Sequence, residues 1–228
     1  MATFGHNRWM HEYPSPSRVA VLDICGTLAP EDSWLALTRD MGGSVERHLE
    51  IFHDYREGRI TYEESKVQLI GLWRATGKAT RTAMYEIFAS WPIDPAAGPL
   101  IEKLRTKGYL PLIITGAVDL YAEVVAQRLG VADWYANTPL VFDAAGQLET
   151  YHYDLDQSGK KVRQLGEFCA ARGYEVADAI VFGDGPNDLG LFAATGHGIW
   201  LETPKYKEAL HPAAWRVIGR LEESLALV

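Results

Sequence analysis

The chain has 228 residues, 47% of them apolar and 23% charged, which is the range of ordinary globular proteins and enough for one α/β core with a smaller insertion. A formal charge of −8 argues against nucleic-acid or anionic-membrane partners, since either would need a basic surface that exchanges counterions with phosphates; a small anion could still bind where local positive charge overrides the global sign. Two cysteines, Cys25 and Cys169, are too few for a disulfide framework or a cysteine zinc site and read as reduced thiols.

Residues 1–17 are polar, aromatic and proline-bearing without period, and Pro14-Ser15-Pro16-Ser17 reads as a flexible leader. The leader lacks the apolar core of a signal peptide, and no segment approaches the roughly 20 apolar residues that span a bilayer. The expected location is the cytoplasm, as a monomer or a homodimer. Arg18-Val19-Ala20-Val21-Leu22-Asp23 is a short apolar run ending in a carboxylate, the pattern of a buried parallel strand with Asp23 at its C-terminal end.

From about residue 32 to residue 91 the apolar spacing turns helical, with Trp34/Leu35/Leu37, Val45/Leu49/Ile51/Phe52, Val67/Leu69/Ile70/Trp73 and Met84/Ile87/Phe88. Gly42-Gly43, Gly58 and Gly77 divide this inserted module into about four helices. His48 and His53 lie five apart on one of them and do not share a face, so both read as surface residues. After Pro92 and Pro95 helix and strand alternate. The pattern predicts a helix near 97–107, a strand Leu110–Thr115, a helix near 119–129 and a hairpin of Leu140–Phe142 with Leu148–Tyr151. A helix near 160–172, a strand Ala179–Phe182, a helix from Asn187, a strand Gly198–Leu201 and a terminal strand and helix complete it. The expected architecture is α/β: a Rossmann-like parallel sheet core, residues 18–31 and 92–228, with an all-helical cap, residues 32–91.

Four features follow in order, each placed at or just beyond the C-terminal end of a predicted strand, where open α/β sheets bind ligands. They are Asp23-Ile24-Cys25-Gly26-Thr27-Leu28; Ile113-Ile114-Thr115-Gly116; Gly159-Lys160-Lys161; and Val181-Phe182-Gly183-Asp184-Gly185-Pro186-Asn187-Asp188. Phosphoryl transfer needs an oxygen nucleophile, a hard divalent cation, donors for the equatorial oxygens and fixed positive charge. Asp23 can supply the nucleophile. Asp184 and Asp188 offer hard oxygen ligands suited to Mg²⁺. Thr115 and the N–H groups around Gly116 can form an anion nest, and Lys161 a compact charge for the phosphate. Taken singly, each has a plain reading as a turn, a cap or a solvated pair, and the acidic loop as a turn cluster or a calcium-type loop. Their order and common placement favour the catalytic one.

These motifs resemble those of the haloacid dehalogenase superfamily, in its phosphoserine phosphatase-like branch. The resemblance runs over residues 18–228. It includes Glu57-Gly58-Arg59-Ile60-Thr61-Tyr62-Glu63-Glu64-Ser65 in the cap, Tyr135-Ala136-Asn137 after the second motif and Gly196-His197-Gly198-Ile199 after the acidic loop. It implies a double displacement through phosphorylated Asp23 on a small phosphorylated metabolite. Mg²⁺ would be held by Asp23, Asp184 and the carbonyl of Cys25, with Asp188 in or next to the first shell. Phosphate would be met by Gly26, Thr115, Gly116, Lys161 and Asn187. Lys161 is preferred to Lys160 because Leu165 then falls where the family's helix packs.

Two departures from the family pattern matter. Where its phosphatases carry a second aspartate, which protonates the leaving alcohol and then activates water, this chain has Cys25, so unassisted alkyl phosphate hydrolysis should be slow. Three readings follow: a substrate whose leaving group needs little protonation, such as an acyl phosphate, a phosphoanhydride or an aryl phosphate; transfer of the phosphoryl group to an acceptor other than water; or phosphate binding without turnover. Leu69 stands where phosphoserine-specific relatives place a cap arginine, which disfavours phosphoserine. Asp32 or Glu31 could meet a substrate amine or hydroxyl, or simply cap the first helix. Trp34, Tyr62 and Trp73 could make an apolar pocket under the cap, or only its core.

Overall fold

The four consecutive apolar residues Val19–Leu22 are all buried, and they alternate between two cores. Ala20 and Leu22 belong to one hydrophobic cluster, Val19 and Val21 to the other. A strand buried on both faces has to be apolar at every position, whereas a half-exposed one alternates. In a computed structural model, which describes residues 14–30, 33–204, 206 and 213–228, this run forms β1 (Arg18–Leu22) at the centre of a six-stranded parallel sheet. The other strands are β2 (Tyr109–Val118), β3 (Asp133–Thr138), β6 (Ile180–Gly183), β7 (Gly198–Leu201) and β8 (Arg216–Ile218), in the order β3-β2-β1-β6-β7-β8. The chain leaves β1 toward β2 and β3 on one side, and β6 to β8 lie on the other, so the switch in winding falls beside β1.

Helices cover both faces. On one lie α5 (Ala97–Thr106) and α6 (Asp119–Leu129), whose Leu100, Leu104, Val124 and Val125 join the core of Ala20 and Leu22. On the other lie α7 (Gln157–Arg172) and α8 (Leu189–Thr195), which bring Leu165, Phe168, Leu191 and Phe192 against Val19 and Val21. Four further helices, α1 (Ser33–Met41), α2 (Val45–Arg56), α3 (Tyr62–Arg74) and α4 (Arg81–Ser90), stand between β1 and α5. A reciprocal pair of bonds between Thr61 and Glu64 starts α3. The two ends of this block are drawn together by one bond, the Asp94 amide to the Leu28 carbonyl at 2.8 Å.

The block is packed on the core rather than hung from it. Phe88 of α4 stacks on Tyr121 of α6 at 5.2 Å between centroids, and Trp91 meets both rings edge-on, at 5.0 and 4.9 Å. The antiparallel hairpin β4 (Leu140–Phe142) and β5 (Leu148–Tyr151) is fastened to the same block. There Leu148 donates its amide to the Ala79 carbonyl at 2.8 Å, Arg81 donates to Gly146 at 2.9 Å, and Arg74 Nε donates to the Leu148 carbonyl at 2.8 Å.

Several expectations need correction. His48 is buried, because Thr38 Oγ1 lies 2.7 Å from its Nδ1 and also accepts the Trp73 indole N–H at 2.7 Å; helical spacing shows a face but not a polar partner on another helix. Leu49, Phe52 and Val67, placed on the apolar stripe, are exposed. β3 was not foreseen: Asp-Trp-Tyr-Ala-Asn-Thr carries no apolar alternation and becomes a strand only by pairing with β2. The terminal helix is a 3-10 segment, Leu221–Ala226. Most of the leader, and Glu31 and Asp32 entirely, lie outside the described residues.

Phe88 has no exposed surface, so Phe88→Ala should leave a cavity between the helical block and α6 and destabilise the fold by about 3–5 kcal/mol. The check is the midpoint of denaturant unfolding; a loss below about 1 kcal/mol would mean that the block packs independently of the core.

Candidate active site

Asp23 is the first residue past β1, and its amide continues the pairing by donating to the Phe182 carbonyl at 3.0 Å. Asp184 follows β6 directly. Because Leu22 pairs with Phe182, the two carboxylates leave adjacent strands one residue apart in register. Asp188 closes the 3-10 turn Pro186–Asp188 and folds back on its own strand, where a β-carbon on Gly183 would lie 2.4 Å from its carboxyl carbon. Asp23, Asp184 and Asp188 are all buried and each offers one oxygen within 4.8 Å of the others.

The loop after β1 is shaped to let Asp184 in. Gly26 has φ +79°, and a β-carbon there would stand 2.1 Å from Asp184 Oδ2, so both the backbone angle and the space demand glycine. Bonds from Gly26 to Ala29, from Thr27 to Ile24 and from Ala29 to Ile24 close this loop on itself.

Lys161 comes from the opposite face. It sits in the second turn of α7, a helix that begins earlier than its spacing predicts because Asp156 caps it by accepting the Gly159 amide. With no exposed surface, its Nζ donates to Asp188 Oδ1 at 2.6 Å and faces Asp23 Oδ1 at 3.2 Å, an ion-pair contact. Burial pulls the lysine toward its neutral form, but the charges of Asp188 and Asp23 outweigh it and raise its pKa. Burial, with repulsion from Asp23, pushes the Asp188 carboxyl up to about 6 against the pull of Lys161. Asp188 Oδ2 also accepts the Gly185 amide at 3.2 Å. Lys160 points elsewhere, donating to the Asn137 carbonyl at 3.2 Å.

Three carboxylates and one ammonium leave two formal negative charges in a buried cluster. Such a cluster is costly without a cation. The donors are all hard oxygens, the kind that Mg²⁺ takes. Both oxygens of Asp188 are engaged, Oδ1 by Lys161 and Oδ2 by the Gly185 amide.

Thr115 is wholly buried, and its Oγ1 accepts the Ala117 amide at 3.2 Å. It does not end its strand, as the pattern predicts, but β2 runs on to Val118 with a register break between Thr115 and Val118. The break turns Gly116 toward the acidic loop, and a β-carbon there would lie 3.2 Å from Asn187 Nδ2 and 3.1 Å from Gln157 Oε1. Gln157 Oε1 in turn accepts from buried Asn137 Nδ2 at 2.8 Å. Gln157 carried no motif signal, being four residues, one helical turn, before Lys161; it enters the site only through tertiary packing. Cys25 is partly exposed and donates its S–H to Ser33 Oγ at 3.3 Å, which links the loop to α1. The fold therefore brings Asp23, Gly26, Lys161, Asp184 and Asp188 into one cluster, with Cys25 on the same loop and Gly116 and Asn187 against each other beside it.

The sequence profile of haloacid dehalogenase-like hydrolases matches residues 20–193. The chain is 26% identical over 197 residues to the phosphoserine phosphatase of Streptomyces coelicolor, covering 86% of this chain and 47% of that protein. It is 22% identical over 183 residues to the phosphoserine phosphatase of Methanocaldococcus jannaschii, covering 78% and 82%. The chain thus spans about half the length of the Streptomyces relative, and 60% of a phosphoserine phosphatase from Albidiferax ferrireducens. Among solved structures it is similar to a HAD family hydrolase of Salmonella enterica serovar Typhi, with a TM-score of 0.76 at 18% identity, covering 94% of this chain and 72% of that one. A phosphoserine phosphatase solved as a phospho-aspartyl intermediate analogue gives 0.71 at 19% identity, covering 94% and 100%. By its profile match over most of its length and by this shared fold, the chain belongs to the haloacid dehalogenase-like hydrolase family.

Proposed function

We propose that the protein is a Mg²⁺-dependent phosphatase acting on a small phosphorylated metabolite through an aspartyl-phosphate at Asp23. The observation that carries this reading is the cluster of three buried carboxylates within 4.8 Å of one another, set against wholly buried Lys161. The relatives named phosphoserine phosphatases support the same chemistry. Mg²⁺ held by Asp23, Asp184 and the Cys25 carbonyl would offset the negative charge that gathers as the phosphoryl group transfers.

The chain's own residues do the rest. An Asp23 oxygen attacks phosphorus; Lys161, 3.2 Å from Asp23, holds an equatorial oxygen; Asp188 orients Lys161. The amides around Gly26 and Gly116, with Thr115 and Asn187, line the phosphate nest. The α1–α4 block, residues 32–91 in outline, acts as the cap and excludes water. No carboxyl stands at position 25 to protonate a leaving alcohol, and Leu69 offers no charge for a substrate carboxylate, which together disfavour phosphoserine. The same gap slows attack of water on the phospho-aspartate and prolongs its life, which leaves a second reading, transfer to an acceptor other than water. The setting is cytoplasmic, as a monomer or homodimer without nucleic-acid or membrane partners.

Metal binding can be read apart from turnover. At a hundred times its dissociation constant, Mg²⁺ should stabilise the fold by about 2.7 kcal/mol, and Asp184→Asn should abolish the shift in thermal unfolding. An unchanged melting curve for the unmutated protein across the Mg²⁺ titration would refute the site. Asp23→Asn should end turnover of acetyl phosphate, and mass spectrometry should find a phosphoryl adduct on Asp23 of the unmutated enzyme. Cys25→Asp should accelerate alkyl phosphate hydrolysis by about 10² to 10⁴; no acceleration would show that the missing acid does not limit the rate.

A further inference from the structure

Beside Cys25 the cap carries a group of aromatic rings that the phosphoryl chemistry does not use. Trp34 follows Ser33, the residue that accepts the Cys25 S–H. Its ring stacks on Trp73 at 5.7 Å and meets Tyr151 and Tyr153 edge-on at 5.1 and 6.2 Å. Tyr62 packs against Tyr55 at 6.0 Å; burial, with Glu63 and Tyr153 nearby, raises its pKa, and burial, with Tyr62 and Glu63 nearby, raises that of Tyr151. Trp73 and Tyr151 are buried, whereas Trp34 and Tyr62 are half-buried and Tyr153 is 36% exposed. Two chain segments lead from this group into the site. One is Trp34-Ser33 to Cys25, two residues past Asp23; the other runs from Tyr153 to Gln157, whose Oε1 lies against Gly116.

Trp34 and Tyr62, half-buried, and Tyr153, 36% exposed, retain accessible surface on the side of the cap that is joined to Cys25 through Ser33. Cysteine in place of a carboxylate also removes a charge from that side, which an apolar ring would otherwise have to desolvate.

Resting on the phosphatase reading above, we propose that the substrate is an aryl phosphate, its leaving ring held against Trp34, Tyr62 and Tyr153. Aromatic pairs bind edge-to-face or offset-stacked at the spacings already present in this group. The chemistry agrees with the geometry. An Asp23 oxygen forms a bond to phosphorus as the P–O(aryl) bond breaks, and the bonding pair leaves on the aryl oxygen, where the ring delocalises it. No proton has to be delivered in that step. Phenols lose a proton at a pKa of about 10, like tyrosine, whereas an alkyl alcohol, like bulk water, holds its proton far more tightly. An enzyme without an acid at position 25 therefore discriminates between them by chemistry as well as by fit. Water then attacks phosphorus, the bond to Asp23 breaks back to the carboxylate, and the proton released from water leaves with inorganic phosphate or recombines with the phenolate.

The test compares phenyl phosphate, propyl phosphate and acetyl phosphate on the Mg²⁺-loaded enzyme; acetyl phosphate has a good leaving group but no ring. Phenyl phosphate should exceed propyl phosphate in kcat/KM by about 10² or more. Trp34→Ala and, because Trp34 stacks on buried Trp73, the milder Tyr153→Ser should each raise KM for phenyl phosphate at least about ten-fold more than for acetyl phosphate, with Trp34→Phe restoring most of the loss. Equal losses on phenyl and acetyl phosphate, or a preference for propyl phosphate, would overturn the aryl assignment while leaving the phosphatase standing. Failure to turn over any of the three, with no phosphoryl adduct on Asp23, would remove the phosphatase reading itself.

Discussion

The structure turns on one electrostatic arrangement: the ammonium of Lys161, without exposed surface, set between Asp188 at 2.6 Å and Asp23 at 3.2 Å, with Asp184 in the same cluster. Groups of this kind are removed from water only when charge is matched or a cation is supplied. Each comes from a different element. Asp23 and Asp184 leave neighbouring strands, Asp188 a 3-10 turn, and Lys161 the helix on one face. The two hydrophobic cores on either side of β1 hold those elements in register, so the apolar packing of the sheet is what makes the polar cluster possible.

Glycine is used where the backbone must come unusually near these charges. At position 26 any side chain would collide with Asp184, and at position 183 with Asp188. The register break in β2 does comparable work on the other flank, aiming Gly116 toward Asn187 and Gln157 instead of continuing the ladder. Loops at the C-terminal ends of the strands thus hold their polar groups close together, the arrangement on which the proposed phosphoryl chemistry rests.

The helical block is fastened to the fold at three places. It is joined to the loop after β1 through Cys25 and Ser33, to the core through Phe88, Trp91 and Tyr121, and to the hairpin through Ala79, Arg81 and Arg74. Because β4 and β5 are hydrogen-bonded to the block, hairpin and helices form one body over the strand ends. In the reading proposed above, Cys25 and the accessible rings of Trp34, Tyr62 and Tyr153 would bear on the same part of a substrate, its leaving group.

Much of this was legible in the residues alone. A strand buried on both faces has no polar position to spare, so Val19–Leu22 announced itself, and the motifs around Asp23, Asp184 and Asp188 carried hard oxygen donors in an order that few other chemistries require. Helical spacing likewise disclosed α1 to α4, since periodicity is a local property. Tertiary structure decided what depends on partners distant in sequence. It made a strand of Asp133–Thr138 by pairing it with β2, buried His48 against Thr38, left Leu49, Phe52 and Val67 in solvent, chose Lys161 over Lys160 and brought Gln157 to Gly116. The physical reason is the same in each case: apolar periodicity records how one segment meets an average interior, whereas a hydrogen bond or an ion pair records which particular atoms lie opposite, and only the folded chain determines that.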